Sequence, residues 1–139
     1  MLLDDIANHL STSVAGLTLD VNLWKLPIPE TVTSTEVQVA VLEYGGRPAL
    51  RAMGPSAGIP VAEITRFNIA VVGGLSAYAA TRTLAESIYQ TLDFTSETTL
   101  GATRYLHIRA LQPPIYFPPD DENSQHHFSV NFEAMKVRG

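Results

Sequence analysis

The chain contains no cysteine, which excludes disulfide bonds, thiolate metal ligands and cysteine nucleophiles. Charged residues are also scarce, at 17% of the 139 residues against about 25% in typical soluble domains. No apolar run approaches the roughly 18 residues that a membrane-spanning helix requires. Because charged groups are depleted at the centres of lasting interfaces, the sparse charge predicts a surface that is partly covered by partners.

Basic residues are few as well: 9 Lys and Arg stand against 14 Asp and Glu, for a net charge of −5. A protein that binds duplex DNA needs a basic surface to displace phosphate counterions, so this balance disfavours direct nucleic-acid binding. Apolar residues make up 45% of the chain, enough for one packed core. We expect a single domain over residues 1–139, without a signal peptide at its start.

Apolar spacing predicts two amphipathic helices. The first carries one stripe near the start of the chain, formed by Leu3, Ile6, Ala7 and Leu10. The second covers residues 75–92, with Ser76 as its N-cap. Its apolar stripe consists of Ala77, Leu84, Ala85, Ile88 and Leu92.

Alternating apolar residues predict five strands. They lie within residues 17–26 and at 37–42, 64–72, 102–111 and 128–135. In the fourth strand we expect Leu106, Ile108 and Ala110 to face the core, and Tyr105, His107 and Arg109 to face outward. The connections are short enough to favour antiparallel pairing. The order α, β, β, β, α, β, β therefore predicts an α+β fold, a mainly antiparallel β-sheet with two helices packed on one face.

Two long segments are predicted as loops: residues 44–60, which are rich in glycine and proline, and residues 115–125, which contain two prolines and an acidic run. Typical connections have about 4–6 residues, and much longer loops are usually functional or disordered. Leu50, Met53 and Ile59 make simple disorder less attractive for the first loop.

The search for chemistry finds no convincing site. Residues 54–58 spell the G-x-S-x-G string of a nucleophile elbow, but the strand before it and the helix after it are missing. His126 and His127 follow an acidic run, yet neighbouring strand residues point to opposite faces, which disfavours a shared metal. No phosphate-binding or dinucleotide motif is present. We therefore predict no catalytic residue, cofactor or metal; the alternative is a small cytosolic α+β enzyme or ligand-binding domain using Tyr105, His107 and Arg109.

A series of weak patterns, in order along most of the chain, resembles the tail terminator and minor capsid (tail completion) proteins of long-tailed bacteriophages. The segments that carry the resemblance are MLLDDIANHL at 1–10, YGGRP at 44–48, FNIAV at 67–71 running into Gly74, Tyr78, Ala79 and Ile88, YLH at 105–107 before a proline-rich turn, and FSVNF at 128–132.

The resemblance implies a structural virion protein, assembled in the host cytoplasm, that forms a homo-oligomeric ring, with a hexamer expected, at the head-proximal end of the tail. Such a ring caps the tail tube protein, joins it to the head connector or stopper protein, and lets DNA pass through its lumen. A head-completion subunit on the connector is the alternative within viruses. Both long loops then become interface candidates, through Tyr44, Arg47, Leu50, Met53, Ile59, Tyr116, Phe117, Asp120, Asp121 and Glu122.

Overall fold

The computed structural model describes residues 2–14, 16–25, 37–51, 60–93, 95–119 and 125–137. Helix α1 spans Leu2–Ser13, and helix α2 spans Tyr78–Leu92 after a 3₁₀ turn at Leu75–Ala77. The strands are β1 (Leu23–Trp24), β2 (Gln38–Arg51), β3 (Pro60–Gly74), β4 (Thr98–Leu100), β5 (Thr103–Ala110), β6 (Ile115–Phe117) and β7 (Gln125–Val137).

The strands form one sheet in the order β1-β2-β3-β7-β5-β4. Strand β7 is long enough to pair with two strands along the same edge: β5 covers its C-terminal half, and β6 pairs with Phe128 and its neighbours. Every pair is antiparallel except the short β1–β2 pair, which is parallel. The predicted α+β fold with a mainly antiparallel sheet is confirmed.

The core lies between one face of the sheet and the two helices. In β3, Phe67, Ile69 and Val71 are fully buried, as their alternation predicted. Phe67 pairs in register with Phe132 of β7, and their stacked rings lie 5.2 Å apart between centroids. The helices complete the same cluster through Leu2, Ile6, Ala7 and Leu10 of α1 and Ala85, Ile88 and Leu92 of α2.

The predicted loop at residues 44–60 is wrong over its described part. Strand β2 continues to Arg51, where Arg47 pairs with Ile64 and Leu50 with Ala62. Register shifts on both sides of Arg47 accommodate the glycines and Pro48, because a bulge absorbs residues that break a regular ladder. Residues 52–59, which include Met53 and Ile59, lie outside the described residues.

The predicted orientation of β5 is wrong at Tyr105. The ladder with β7 shifts register between Tyr105 and His107, so Leu106 is the extra residue of a bulge. Beyond the bulge the alternation changes phase, and Tyr105 and Ile108 are both fully buried although they are three residues apart. Arg109 stays exposed, as expected.

Three smaller predictions also need correction. The strand within residues 17–26 is limited to Leu23–Trp24. Ser76 is not an N-cap, because the 3₁₀ turn precedes the helix and Ala77 takes the cap position without a side-chain hydrogen bond. Residues 115–117 form strand β6 instead of a loop, since the free edge of β7 offers them backbone partners.

Candidate assembly interface

The interface candidates on the β2–β3 hairpin lie in strands. Tyr44 is exposed on β2, and the backbones of Arg47 and Leu50 pair with β3. On the outer edge of β2, strand β1 covers only Val39 and Ala40 among the described residues. This hairpin therefore presents a sheet edge, which is a frequent site of contact between chains.

The candidates on the second predicted loop, Tyr116 and Phe117, lie on β6 and point to opposite sides of the sheet. Tyr116 pairs with Phe128, whose side chain belongs to the core face, whereas Phe117 pairs with His127 and its ring lies 5.4 Å from that imidazole. The remaining candidates, Asp120, Asp121 and Glu122, lie outside the described residues.

An aromatic cluster surrounds Tyr116 at the end of the core. Its ring lies 5.0 Å from Phe128 and 5.5 Å from Tyr78 between centroids. The Tyr116 hydroxyl and Nδ1 of His126 are 2.8 Å apart, and Nε2 of His126 lies 3.1 Å from the carbonyl oxygen of Leu75. A carbonyl only accepts, so in the neutral ring Nε2 donates to it, and Nδ1 accepts the hydrogen bond that Tyr116 donates.

We call the exposed apolar residues around β6 the apolar ridge. Their side chains are between 38% and 62% exposed, and none carries a charge. The ridge consists of Leu75, Tyr78, Ile115, Tyr116 and Phe117. Tyr78 and Tyr116 lie on the core side of the sheet, and Ile115 and Phe117 on the other side, so the ridge borders the β6 edge on both faces. Clustered exposed apolar residues mark contact sites, whereas single ones need no explanation.

Prolines bracket the ridge strand on both sides, at 113–114 and 118–119. Proline has no N–H to donate to a ladder, so backbone pairing on the free edge of β6 is confined to three residues. This protects the edge from open-ended strand addition. Contacts at the ridge must therefore depend on side chains.

The sequence analysis does not predict Leu75, Tyr78 or Ile115 as interface residues. It places Tyr78 within the second helix and begins that helix at Leu75. The sequence contains one signal of an exposed apolar strand. The triplet Ile115-Tyr116-Phe117 stands between two proline pairs and contains no charged residue. The two residues from the start of α2 are brought to it only by tertiary packing.

The opposite face of the sheet carries charge and polar networks. The buried carboxylate of Glu133 lies 3.0 Å from the Arg109 guanidinium and 3.5 Å from Nε of Arg66, which flank it on the neighbouring strands. Nearby, Asn68 donates hydrogen bonds to Ser129 and Asn131. Ile115 and Phe117 lie on this polar face, because they pair with Ser129 and His127, whereas Tyr116 lies on the core face with Phe128.

The residue group proposed for an enzyme is divided by the fold. Tyr105 is fully buried, and its hydroxyl donates a 2.7 Å hydrogen bond to Oδ2 of Asp5 on α1. Burial, followed by this carboxylate, raises the pKa of Tyr105, so its hydroxyl stays protonated. His107 and Arg109 line a surface cavity of about 380 Å³. The described lining of this cavity includes neither Tyr105 nor a carboxylate.

Within the described residues, no group of three or more His, Cys, Asp or Glu side chains is arranged to hold a metal ion. His126 and His127 lie on opposite sides of the sheet, as their adjacency predicted: His126 contacts Tyr78, and His127 contacts Phe117. Burial lowers the pKa of His127, which favours its neutral form. The G-x-S-x-G string at residues 54–58 lies outside the described part of the chain. Neither described helix is long and apolar enough to cross a bilayer.

No family model matches the chain, and no curated protein matches it in sequence. Solved structures do match its fold. One is a chain in the virion of a native gene transfer agent (GTA) particle, with a TM-score of 0.61 and 14% identity over 99% of this chain and 95% of that chain. Another, a protein without a descriptive name, has a TM-score of 0.54 and 12% identity over 99% of this chain and 91% of that one. This chain therefore shares its fold with both of these solved chains.

Proposed function

We propose that this protein is a structural virion subunit, a tail terminator that forms a homomeric ring, with six copies as the expected number. The likeness to a gene transfer agent virion chain carries the proposal, because it extends over nearly the full length of both chains. It agrees with the resemblance to phage tail terminators found in the sequence alone. On this proposal the protein binds and assembles but makes and breaks no bonds.

The surface chemistry of the chain suits such a subunit. An uncharged ridge and a strand edge on β2 supply contacts for neighbouring copies, the tail tube protein and the head connector or stopper protein. The net charge of −5 suits a lumen through which DNA slides, since an acidic wall does not retain phosphates. Tyr44, Arg47 and Leu50 are assigned to these contacts together with Tyr116 and Phe117.

The test compares particles made with and without this protein. If it caps a polymerising tube, particles lacking it should contain DNA-filled heads detached from tails of uncontrolled length. Gold-labelled antibody against the protein should mark the head-proximal end of the tail in complete particles. Electron microscopy measures both.

Other outcomes would reject the terminator role. Label on the connector of tailless heads, with tails of normal length when the protein is missing, would indicate a head-completion subunit. Absence of the protein from purified particles would reject a virion role altogether.

A further inference from the structure

The surface cavity that His107 and Arg109 line lies beside the bulge of strand β5. Its volume of about 380 Å³ falls within the range of about 300–1,000 Å³ that is typical of small-molecule pockets. Leu106 is the extra residue of the bulge, and it lines the cavity together with the two outward-facing residues that follow it. Bulges often lie next to functional sites because they change the direction of the side chains. The bulge therefore determines which side chains this cavity presents.

Positive charge is in excess at the cavity. The carboxylate of Glu133 lies between two guanidinium groups, 3.0 Å from that of Arg109 and 3.5 Å from Nε of Arg66. These three side chains together carry one positive charge in excess, and no carboxylate belongs to the described lining. Arg109 donates one hydrogen bond to Glu133, and a guanidinium has five N–H donors. In a chain with a net charge of −5, this local excess favours an anionic ligand.

His107 provides a second, independent sign of a ligand. Among the described residues, its Nδ1 atom is buried and has no hydrogen-bond partner. Such an atom is rare in native folds, because a buried polar group without a partner lowers stability. His107 belongs to the lining of the cavity, so a bound acceptor supplies the missing partner. Ser96 adds an exposed hydroxyl to the same lining.

The cavity also has an apolar part. The side chain of Leu106 is only partly buried, and it lines the cavity beside the polar groups. An inorganic anion would leave this apolar surface in contact with water, whereas a short aliphatic chain would cover it. Pockets that bind small organic molecules have this combination of apolar surface and a few polar groups. The lining therefore fits a carboxylate that is attached to a short aliphatic chain.

We propose that this cavity is a binding site for a small aliphatic carboxylate. Arg109 and Ser96 donate hydrogen bonds to the carboxylate, and Nδ1 of His107 donates a third. The aliphatic chain covers Leu106. This site goes beyond the proposed tail function, because a ligand beside β5 requires neither a ring nor a tail tube.

A nuclear magnetic resonance titration with sodium butyrate at constant ionic strength tests the site. We expect saturable shifts of the backbone amide signals of Ser96, His107 and Arg109, with a dissociation constant in the millimolar range that so small a ligand reaches. Two reference probes separate the two parts of the ligand. 1-Butanol has the aliphatic chain without the charge, and inorganic phosphate has charge without the chain. Each should bind roughly tenfold more weakly than butyrate, or less tightly still.

Three outcomes of the titration would overturn the proposal. The absence of saturable shifts would show that butyrate does not bind. Equal affinity for phosphate would indicate an unselective anion site, and equal affinity for 1-butanol would show that the charge is not recognised. Shifts confined to residues outside the cavity would place the ligand elsewhere and would also reject this site.

Two arginines on β5 give a matched pair of variants. Arg109→Gln should weaken butyrate binding roughly tenfold or more, because it removes a charged donor from the cavity. Arg104→Gln is the control: Arg104 is similarly exposed, but it pairs with Glu97 and does not line the cavity. It should leave the affinity unchanged. Equal losses in both variants would show that butyrate responds only to the total charge of the chain.

A second pair of variants leaves the contact between Arg109 and the buried Glu133 intact. Ser96→Glu places a carboxylate at the cavity and should weaken butyrate binding roughly tenfold through repulsion. Thr99→Glu adds the same charge at an exposed position of β4 outside the lining, and should bind butyrate as the natural chain does. Circular dichroism checks that each variant is folded. Unchanged affinity in a folded Ser96→Glu variant would reject the site.

Discussion

Two aromatic pairs on the same face of β7 show how this fold treats its two ends. Phe132 stacks on Phe67 with both rings fully buried, whereas Phe128 contacts Tyr116, which is 38% exposed. The two β7 residues are four apart, or about 13 Å along the strand. Over that short distance along β7, the aromatic pairs change from fully buried to partly exposed.

The difference arises from where helix α2 begins. Its buried residues, Thr81, Ala85, Ile88 and Leu92, cover the closed end of the sheet. Before Tyr78 the chain makes only a 3₁₀ turn with no buried residue, so nothing among the described residues covers the ridge. We call the end of the sheet at Phe67 and Phe132, which α2 covers, the closed end, and the end at Phe128 and Tyr116 the open end. The closed end therefore supplies stability, and the open end is free to supply contacts.

The largest loss of stability should come from truncating the buried Phe67–Phe132 pair. Phe132→Ala removes a fully buried ring and leaves a cavity, at a cost of about 3–5 kcal/mol in the free energy of unfolding. Tyr116→Ala removes a half-exposed ring and should cost roughly 1 kcal/mol. Denaturant titration measures both. Equal losses would mean that the ridge is part of the core and not a separate surface.

The point where β3 meets the start of α2, between the two ends, should be nearly as sensitive to substitution. A Cβ at Gly73 would clash with Oγ1 of Thr81, so Gly73→Ala pushes the start of α2 away from β3. We expect a loss of about 1–3 kcal/mol. Adding Thr81→Ala to this variant removes the clash and should restore part of the stability. Additive losses in the double variant would show that the clash is not the cause.

The closed and open ends can also be compared by one chemical change, Tyr to Phe. Tyr105 donates to the buried Asp5, and Tyr116 donates to His126 near the surface. Tyr105→Phe should cost about 1–3 kcal/mol, because a buried hydrogen bond to a charged group is lost. Tyr116→Phe should cost under about 0.5 kcal/mol, since water replaces the lost partner. Thermal unfolding of the two variants under one condition measures the two losses in stability.

The closed end could largely be predicted from the sequence. Strict alternation identified Phe67, Ile69 and Val71 as core, and the spacing of Ala85, Ile88 and Leu92 identified the buried stripe of α2. Such patterns depend only on the periods of helix and strand, which are local properties. The predicted α+β fold is also confirmed, and a solved chain with a similar fold belongs to a virion.

Three features could not be predicted because they depend on distant parts of the chain. The bulge that turns Tyr105 inward exists because of pairing with β7, and Gly45, Gly46 and Pro48 enter a strand because β3 offers a ladder that tolerates register shifts. The ridge joins residues 75–78 to residues 115–117, which only tertiary packing brings together. Tyr116 and Phe117 were nevertheless among the predicted interface residues.

The smallest expected change in stability concerns two histidines, His9 on α1 and His127, which contacts Phe117. Burial lowers the pKa of both His9 and His127 below the ordinary value of 6.5. Below about pH 6.5 the unfolded chain therefore binds more protons than the folded chain, and stability falls as the pH falls through the lowered folded-state pKa. His9→Gln and His127→Gln should each flatten this acid loss slightly, by under about 1 kcal/mol.

Of these two histidines, His127 contacts the ridge through Phe117 and His9 does not, so protonation of His127 should also weaken association between copies. Sedimentation at pH 7.5 and pH 5.5 separates the two roles. His127→Gln should reduce the pH dependence of association, and His9→Gln should leave it unchanged. If both variants changed it equally, acid would be acting through global stability, and the ridge would not behave as a surface distinct from the core.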